Sequence, residues 1–187
     1  SLTSATEEVV LLDTGPLVAW LCATDQWHEW SADQFGKLEP AFITCCEAVL
    51  TEACFLYARA GGDPAKIIGK VRQGLLNATF TLASEAAGIE LLLRRYADTP
   101  MSLADACLVR LSEVHKDCRV LTLDKHFKHY RRFGRSVIPL IIHRDGQLEL
   151  SVVLNELQRA VVLPPTILYS EREIGIDQVE IDPRLPR

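Results

Sequence analysis

The chain lacks most of what would place it in a membrane or outside a cell. No run of its 187 residues stays apolar for the ~20 positions that a membrane helix needs. The stretch from Ser1 to Glu8 has no basic start and no apolar core, so no signal peptide is expected. No CxxC pair occurs among the six cysteines, Cys22, Cys45, Cys46, Cys54, Cys107 and Cys118. All six sit in apolar or helical surroundings, where a thiol packs as a small hydrophobe. That usage points to a reducing, cytoplasmic compartment. His115 and Cys118 are spaced to begin a zinc site, but no second pair accompanies them, so zinc is not expected. Positive charge is not in excess either: 20 Lys and Arg against 25 Asp and Glu leave a net charge of −5. Such a chain does not hold nucleic acid by bulk charge. It needs a local basic patch, or metal ions, to offset phosphate repulsion. Repeats and low-complexity segments are absent.

What is present is an ordinary globular composition, 48% hydrophobic and 24% charged, which excludes disorder as the main state. A chain of this length buries ~70% of its unfolded surface and folds without a disulfide or a metal. Val9, Val10, Leu11 and Leu12 read as a buried strand ending at Asp13. Thr14-Gly15-Pro16 breaks it, and a helix continues through Leu17 to Cys22. A second helix is expected from Gln26 to Leu38, with Trp27, Trp30, Phe35 and Leu38 on its apolar side. A strand over Ala41 to Thr44 leads into a helix from Cys45 to Ala60, closed by Gly61-Gly62. Further helices are expected from Asp63, acting as N-cap, from Ser84, also as N-cap, and from Ser102 to Lys116. Strands are expected over Ala78–Leu82, Arg119–Leu123 and Val137–Ile142. Short apolar strands alternating with longer helices argue for an α/β fold with a parallel sheet covered on both faces. The compact part is expected to span residues 1–143. Residues 144–187 form a C-terminal extension in which Ser151 to Leu163 fits a helix or a strand equally, and Pro164-Pro165 breaks the chain.

The chemically informative residues are acidic. Asp13 and Asp124 each end a strand, and in an open parallel sheet ligands bind at the carboxyl edge. The plain alternative is that each begins a turn or caps a helix. Asp105 has capping-box spacing from Ser102. It also lies among Leu103, Ala104, Ala106, Leu108 and Val109, so its carboxylate is expected to be partly buried and to face strong donors or a cation. Glu47 and Glu52 are five residues apart on one helix, about 140° around its axis, so they do not serve one site together. Thr44 and Glu47 fit a capping box, which leaves Glu52 for the site. Four carboxylates without His or Cys partners suit Mg²⁺ or Mn²⁺ rather than zinc. Such ions support phosphoryl chemistry. Lys125, His126, Lys128, His129, Arg131, Arg132 and Arg135 form the one dense basic stretch, either a solvated face or a contact for a phosphate backbone.

Four segments in order are similar to one family. They are Val9-Val10-Leu11-Leu12-Asp13-Thr14-Gly15-Pro16-Leu17; Ile43-Thr44 with Ala48-Val49-Leu50-Thr51-Glu52; Met101-Ser102-Leu103-Ala104-Asp105-Ala106-Cys107-Leu108; and Val120-Leu121-Thr122-Leu123-Asp124-Lys125-His126-Phe127. Over residues 8–142 the chain resembles the PIN-domain family of metal-dependent ribonucleases, which includes the VapC-type toxins of bacterial toxin–antitoxin pairs. The resemblance implies a three-layer α/β/α sandwich and Mg²⁺- or Mn²⁺-dependent cleavage of RNA. It places Asp13, Glu52, Asp105 and Asp124 as catalytic, metal-holding acids, with the Thr14 and Thr122 hydroxyls supporting them. Lys125, Lys128, Arg131 and Arg132 are the expected RNA contacts. A homodimer and a cognate antitoxin are the expected protein partners. Gly15 departs from the family, which commonly has a small polar residue there.

Two other classes compete. A PIN-like module without activity, binding RNA or protein, is opposed by the retention of all four acids, since idle clustered carboxylates cost stability. An aspartic protease is suggested by Leu12-Asp13-Thr14-Gly15, but such an enzyme shares a proton between two Asp residues in an all-β fold. This chain has one Asp-Thr-Gly and many helices.

Overall fold

A computed structural model of the chain describes residues 8–144. The C-terminal extension from residue 145, including the segment 151–163, lies outside the described residues. Val9–Leu12 forms strand β1, and its consecutive apolar residues are buried on both faces apart from Val9. That pattern belongs to a central parallel strand covered on both sides. The backbone then enters helix α1 (Thr14–Leu21) directly, with Asp13 as its N-cap. Helix α2 (His28–Gly36) packs on α1. A short 3-10 turn over Pro40–Phe42 precedes strand β2 (Ile43–Thr44), followed by α3 (Glu47–Arg59), α4 (Ala65–Arg72), α5 (Leu82–Arg95) and α6 (Leu103–Val114). Strand β3 (Cys118–Thr122) leads to a 3-10 turn over Lys125–Lys128, then β4 (Arg131–Arg132), β5 (Ser136–Val137) and β6 (Leu140–Ile142).

The main sheet has the order β2-β1-β3-β6, and every neighbouring pair is parallel. The α/β expectation therefore holds, with helices packed around a parallel sheet. In register, Leu12 stands opposite Leu121, and Thr122 opposite Ile142. The carboxyl ends of β1, β3 and β6 thus share one edge. Leu11, Leu12, Leu17, Val49, Leu108, Val120, Leu121 and Phe127 are fully or almost fully buried around the sheet.

Several local expectations are corrected. No strand forms over Ala78–Leu82: a single bridge joins Asn77 to Thr44, and Leu82 already opens α5. Ser84 therefore lies inside the first turn of α5, its hydroxyl donating to the Thr81 carbonyl, and caps nothing. The expected strand over Ala41–Thr44 is reduced to Ile43–Thr44 because Pro40 nucleates a 3-10 turn first. The expected capping box of Thr44 and Glu47 does not form: Cys46 is the N-cap of α3, and Glu47 is an exposed first-turn residue beside the positive helix end. Asp63 gives way to Pro64 as N-cap of α4, although its carboxylate still accepts from the Ala65 amide at 2.9 Å. Val137–Ile142 is divided: β5 pairs antiparallel with β4, and only β6 joins the main sheet.

The β4–β5 hairpin explains the division. Its tip places Phe133 at φ 52° and Gly134 at φ 72°, a left-handed turn in which glycine carries no side-chain penalty. A Cβ on Gly134 would also meet the Arg95 guanidinium at 2.5 Å. Glu113 at the end of α6 accepts from the Phe133 amide at 2.7 Å, anchoring the tip.

Candidate functional site

Each acid reaches the carboxyl edge by a different local device. Asp13 ends β1, and its own amide donates to the Leu121 carbonyl of β3 at 3.0 Å. Its carboxylate accepts from the Thr14 amide at 2.7 Å and from the Thr122 hydroxyl at 2.6 Å. The same Thr122 oxygen accepts from the Asp124 amide at 2.8 Å. One threonine at the end of β3 therefore ties the two strand-end acids together. Asp124 caps the following 3-10 turn, accepting from the His126 amide at 2.8 Å and approaching His126 Nδ1 at 2.7 Å.

Asp105 sits in the first turn of α6 within a complete capping box. Its amide donates to the Ser102 hydroxyl, and its carboxylate accepts from the Ser102 amide at 2.8 Å. It is 8% exposed, so capping and burial coincide at one residue. Glu52 lies mid-way along α3 and accepts from the Thr14 hydroxyl at 3.1 Å. Thr14 and Thr122 thus each donate a hydroxyl to one of the acids.

Electrostatics join the four groups. Burial pushes the Asp13 carboxyl up to about 8, and the charges of Asp105 and Asp124 add to the rise; the Thr122 and Thr14 hydrogen bonds oppose it. Burial also pushes Asp105 up to about 7, helped by Asp124 and Glu52 and opposed by Ser102. Glu52 is raised by burial and partly relieved by hydrogen bonds from Thr14 and Ser102. Buried carboxylates that raise one another lack counter-charge. Near neutral pH such a cluster takes up protons or cations.

The chemistry of the donors fits a hard cation, since all are carboxylate or hydroxyl oxygens. Their present arrangement is not a finished cage. Among the described residues, no group of three His, Cys, Asp or Glu side chains is arranged to hold an ion. One oxygen of Asp105 accepts from the Ser102 amide and one of Asp124 meets His126. His115 and Cys118 likewise belong to no such group, and Cys118 donates to the Ser112 carbonyl.

A model of the PIN domain matches residues 10–133. The chain belongs to the PIN domain family. No curated protein sequence matches it significantly. PIN domains are in general nucleases that use divalent metal ions. The aspartic-protease alternative falls with the fold: Asp13-Thr14-Gly15 leads from a parallel strand straight into a helix.

The basic stretch of this PIN domain divides by role. Arg131 donates to the carbonyls of Lys128 and Tyr130, at 2.7 and 2.9 Å. Arg132 donates to the carbonyls of Ser112 and Lys116, closing the carboxyl end of α6. One terminal nitrogen of each guanidinium is thus engaged with backbone carbonyls of the fold. The ammonium groups of Lys125 and Lys128 make no hydrogen bond or ion pair among the described residues and remain available to an anion.

Sequence reasoning missed Tyr130. It is fully buried, and its hydroxyl is 3.2 Å from the Pro100 carbonyl. Burial, the carboxylates of Asp105, Asp124 and Asp13, and a hydrogen bond with Asp105 raise its pKa. It therefore stays a neutral hydroxyl beside the acids. Nothing in its sequence context, between His129 and Arg131, marks it. The groove of about 210 Å³ lined by Cys46, Thr51, Phe80, Leu82, Leu103 and Cys107 touches α3 and α6 but includes none of the four acids.

Proposed function

We propose that this PIN domain is an active endoribonuclease in which Asp13, Glu52, Asp105 and Asp124 hold Mg²⁺ or Mn²⁺ and hydrolyse RNA phosphodiester bonds. One observation carries the reading: acids from β1, α3, α6 and the turn after β3 meet in mutual repulsion at one sheet edge, with Asp13 raised to about 8 and Asp105 to about 7. When bound, divalent ions supply the charge that offsets carboxylates and phosphate and activate water as the nucleophile. The chain's own residues hold the geometry. Thr122 fixes Asp13 and the Asp124 backbone, Ser102 fixes Asp105, and Thr14 orients Glu52. Lys125 and Lys128 attract the backbone of the substrate.

The deciding experiment is a cleavage assay on tRNA, rRNA and mRNA pools with Mg²⁺ or Mn²⁺, comparing wild type with Asp13→Asn. Wild-type cleavage, lost in the variant and in excess EDTA, is expected. Cleavage that survives EDTA removes the metal from the mechanism.

The alternative is an inactive PIN domain that binds RNA or protein. It is favoured by the absence, among the described residues, of three donors already arranged around one ion. Calorimetric titration with Mn²⁺ separates the two, since an inactive scaffold shows no specific uptake.

The resemblance to VapC-type toxins supports a toxin role, a homodimer and a cognate antitoxin as partners. Free thiols at all six cysteines support a reducing compartment such as the cytoplasm. Residues 1–143 are assigned to the nuclease domain and 144–187 to its extension.

A further inference from the structure

The carboxyl edge carries more than acids. Ile142, the last residue of β6, stands opposite Thr122, whose hydroxyl is 2.6 Å from the Asp13 carboxylate. His143 therefore leaves the sheet at that same edge, on the strand next to the one that leads to Asp124. Its ring meets two indoles of α2. The Trp27 ring centre is 4.7 Å away at 52°, and the Trp30 ring centre is 5.7 Å away, edge-on at 89°. Trp27 is the N-cap position of α2 and Trp30 lies one turn further, so both occupy one helix face. All three side chains are half-buried rather than sealed in the core. The packing role on α2 is taken by buried Phe35, stacked on Trp20 at 4.1 Å. The 3-10 turn that bears Lys125 and Lys128 packs against β6 as well.

Half-buried aromatic rings at a sheet edge that also carries acids, with lysines on a turn packed against the same strand, are features that single-stranded nucleic acid uses: bases stack and phosphates meet cations. We infer that Trp27, Trp30 and His143 form a stacking site for a base of single-stranded RNA, next to the bond held at the four acids. The position of the cleaved bond rests on the nuclease reading; the stacking itself does not, because it is measured without cleavage.

The test uses the full chain in EDTA. Fluorescence anisotropy compares a short labelled oligoadenylate with an abasic ribose-phosphate oligomer of equal length. Wild type is expected to bind the adenylate roughly ten-fold more tightly. Trp30→Ala removes that preference, and Trp30→Phe, which keeps an aromatic face and the fold, retains most of it. Lys128→Glu weakens both ligands alike. Equal binding of the two ligands by wild type, no binding of either, or a base preference that survives Trp30→Ala overturns the stacking site. The nuclease reading fails separately. Base preference without Mn²⁺-dependent cleavage leaves the stacking site and removes the enzyme; cleavage without base preference does the reverse.

Discussion

Asp13 shows how much one side chain is asked to do. It ends a strand, caps a helix through the Thr14 amide and sits 6% exposed among like charges. Its folded carboxyl rises from 3.8 to about 8, so the native state keeps a proton that the unfolded chain has already lost. The stability this contributes is complete below the unfolded value and is lost as pH climbs to about 8. Asp105, raised to about 7, acts in the same direction over a narrower window. In metal-free buffer the melting temperature of wild type is therefore expected to fall relative to Asp13→Asn as pH rises from about 5 to about 8. Mn²⁺ at the upper end should recover the wild type and not the variant. A melting-temperature gap that stays constant across this range would contradict the coupled acidic cluster. Asp13→Asn is further expected to retain native circular dichroism while losing at least ~100-fold in cleavage rate.

At the scale of elements, two short devices hold the site in place. Ser102 closes the amino end of α6 and accepts from the Asp105 amide, while its own amide fixes the Asp105 carboxylate. Ser102→Ala is expected to cost ~1 kcal/mol in urea unfolding, from the lost cap alone. At the other end of α6, Arg132 donates to the Ser112 and Lys116 carbonyls, and Glu113 receives the hairpin tip. Gly134 makes that tip possible at φ 72°, so Gly134→Ala should destabilise by ~1–2 kcal/mol and disturb the Arg95 guanidinium. An unchanged unfolding midpoint in that variant would show that the hairpin is not strained there. Arg132 is thus a fold residue, and its substitution is expected to lower stability before it alters RNA binding.

For the whole molecule, charge placement decides how an acidic chain handles a polyanion. The net charge is −5, yet Lys125 and Lys128 follow Asp124 on a 3-10 turn against β6. Reversing both, Lys125→Glu with Lys128→Glu, should weaken RNA binding for all sequences alike and shallow the log–log salt dependence by about one to two units. A slope that does not change would return these lysines to the solvated surface. Among the described residues, no helix is long and apolar enough to cross a membrane.

By itself the sequence determined the alternation of elements, because β1 is uninterruptedly apolar and ends at an acid, and α6 carries its own capping box. It also set Glu52 apart from Glu47, since helical spacing alone keeps the two on different faces. The reach of the other signals was shorter. Residues 78–81 have strand-like residues but pair only through Asn77, and Pro40 turned half a strand into a 3-10 turn, because pairing depends on a partner that local pattern does not contain. Tertiary structure alone decided which basic residues stay free, since carbonyls at the end of α6 were there to claim Arg132. It alone brought the Tyr130 hydroxyl to the Pro100 carbonyl and His143 to two tryptophans, contacts between segments about 30 and more than 100 residues apart. Identity along the chain fixes what a side chain is able to do; the parallel register of β1, β3 and β6 fixes what it meets.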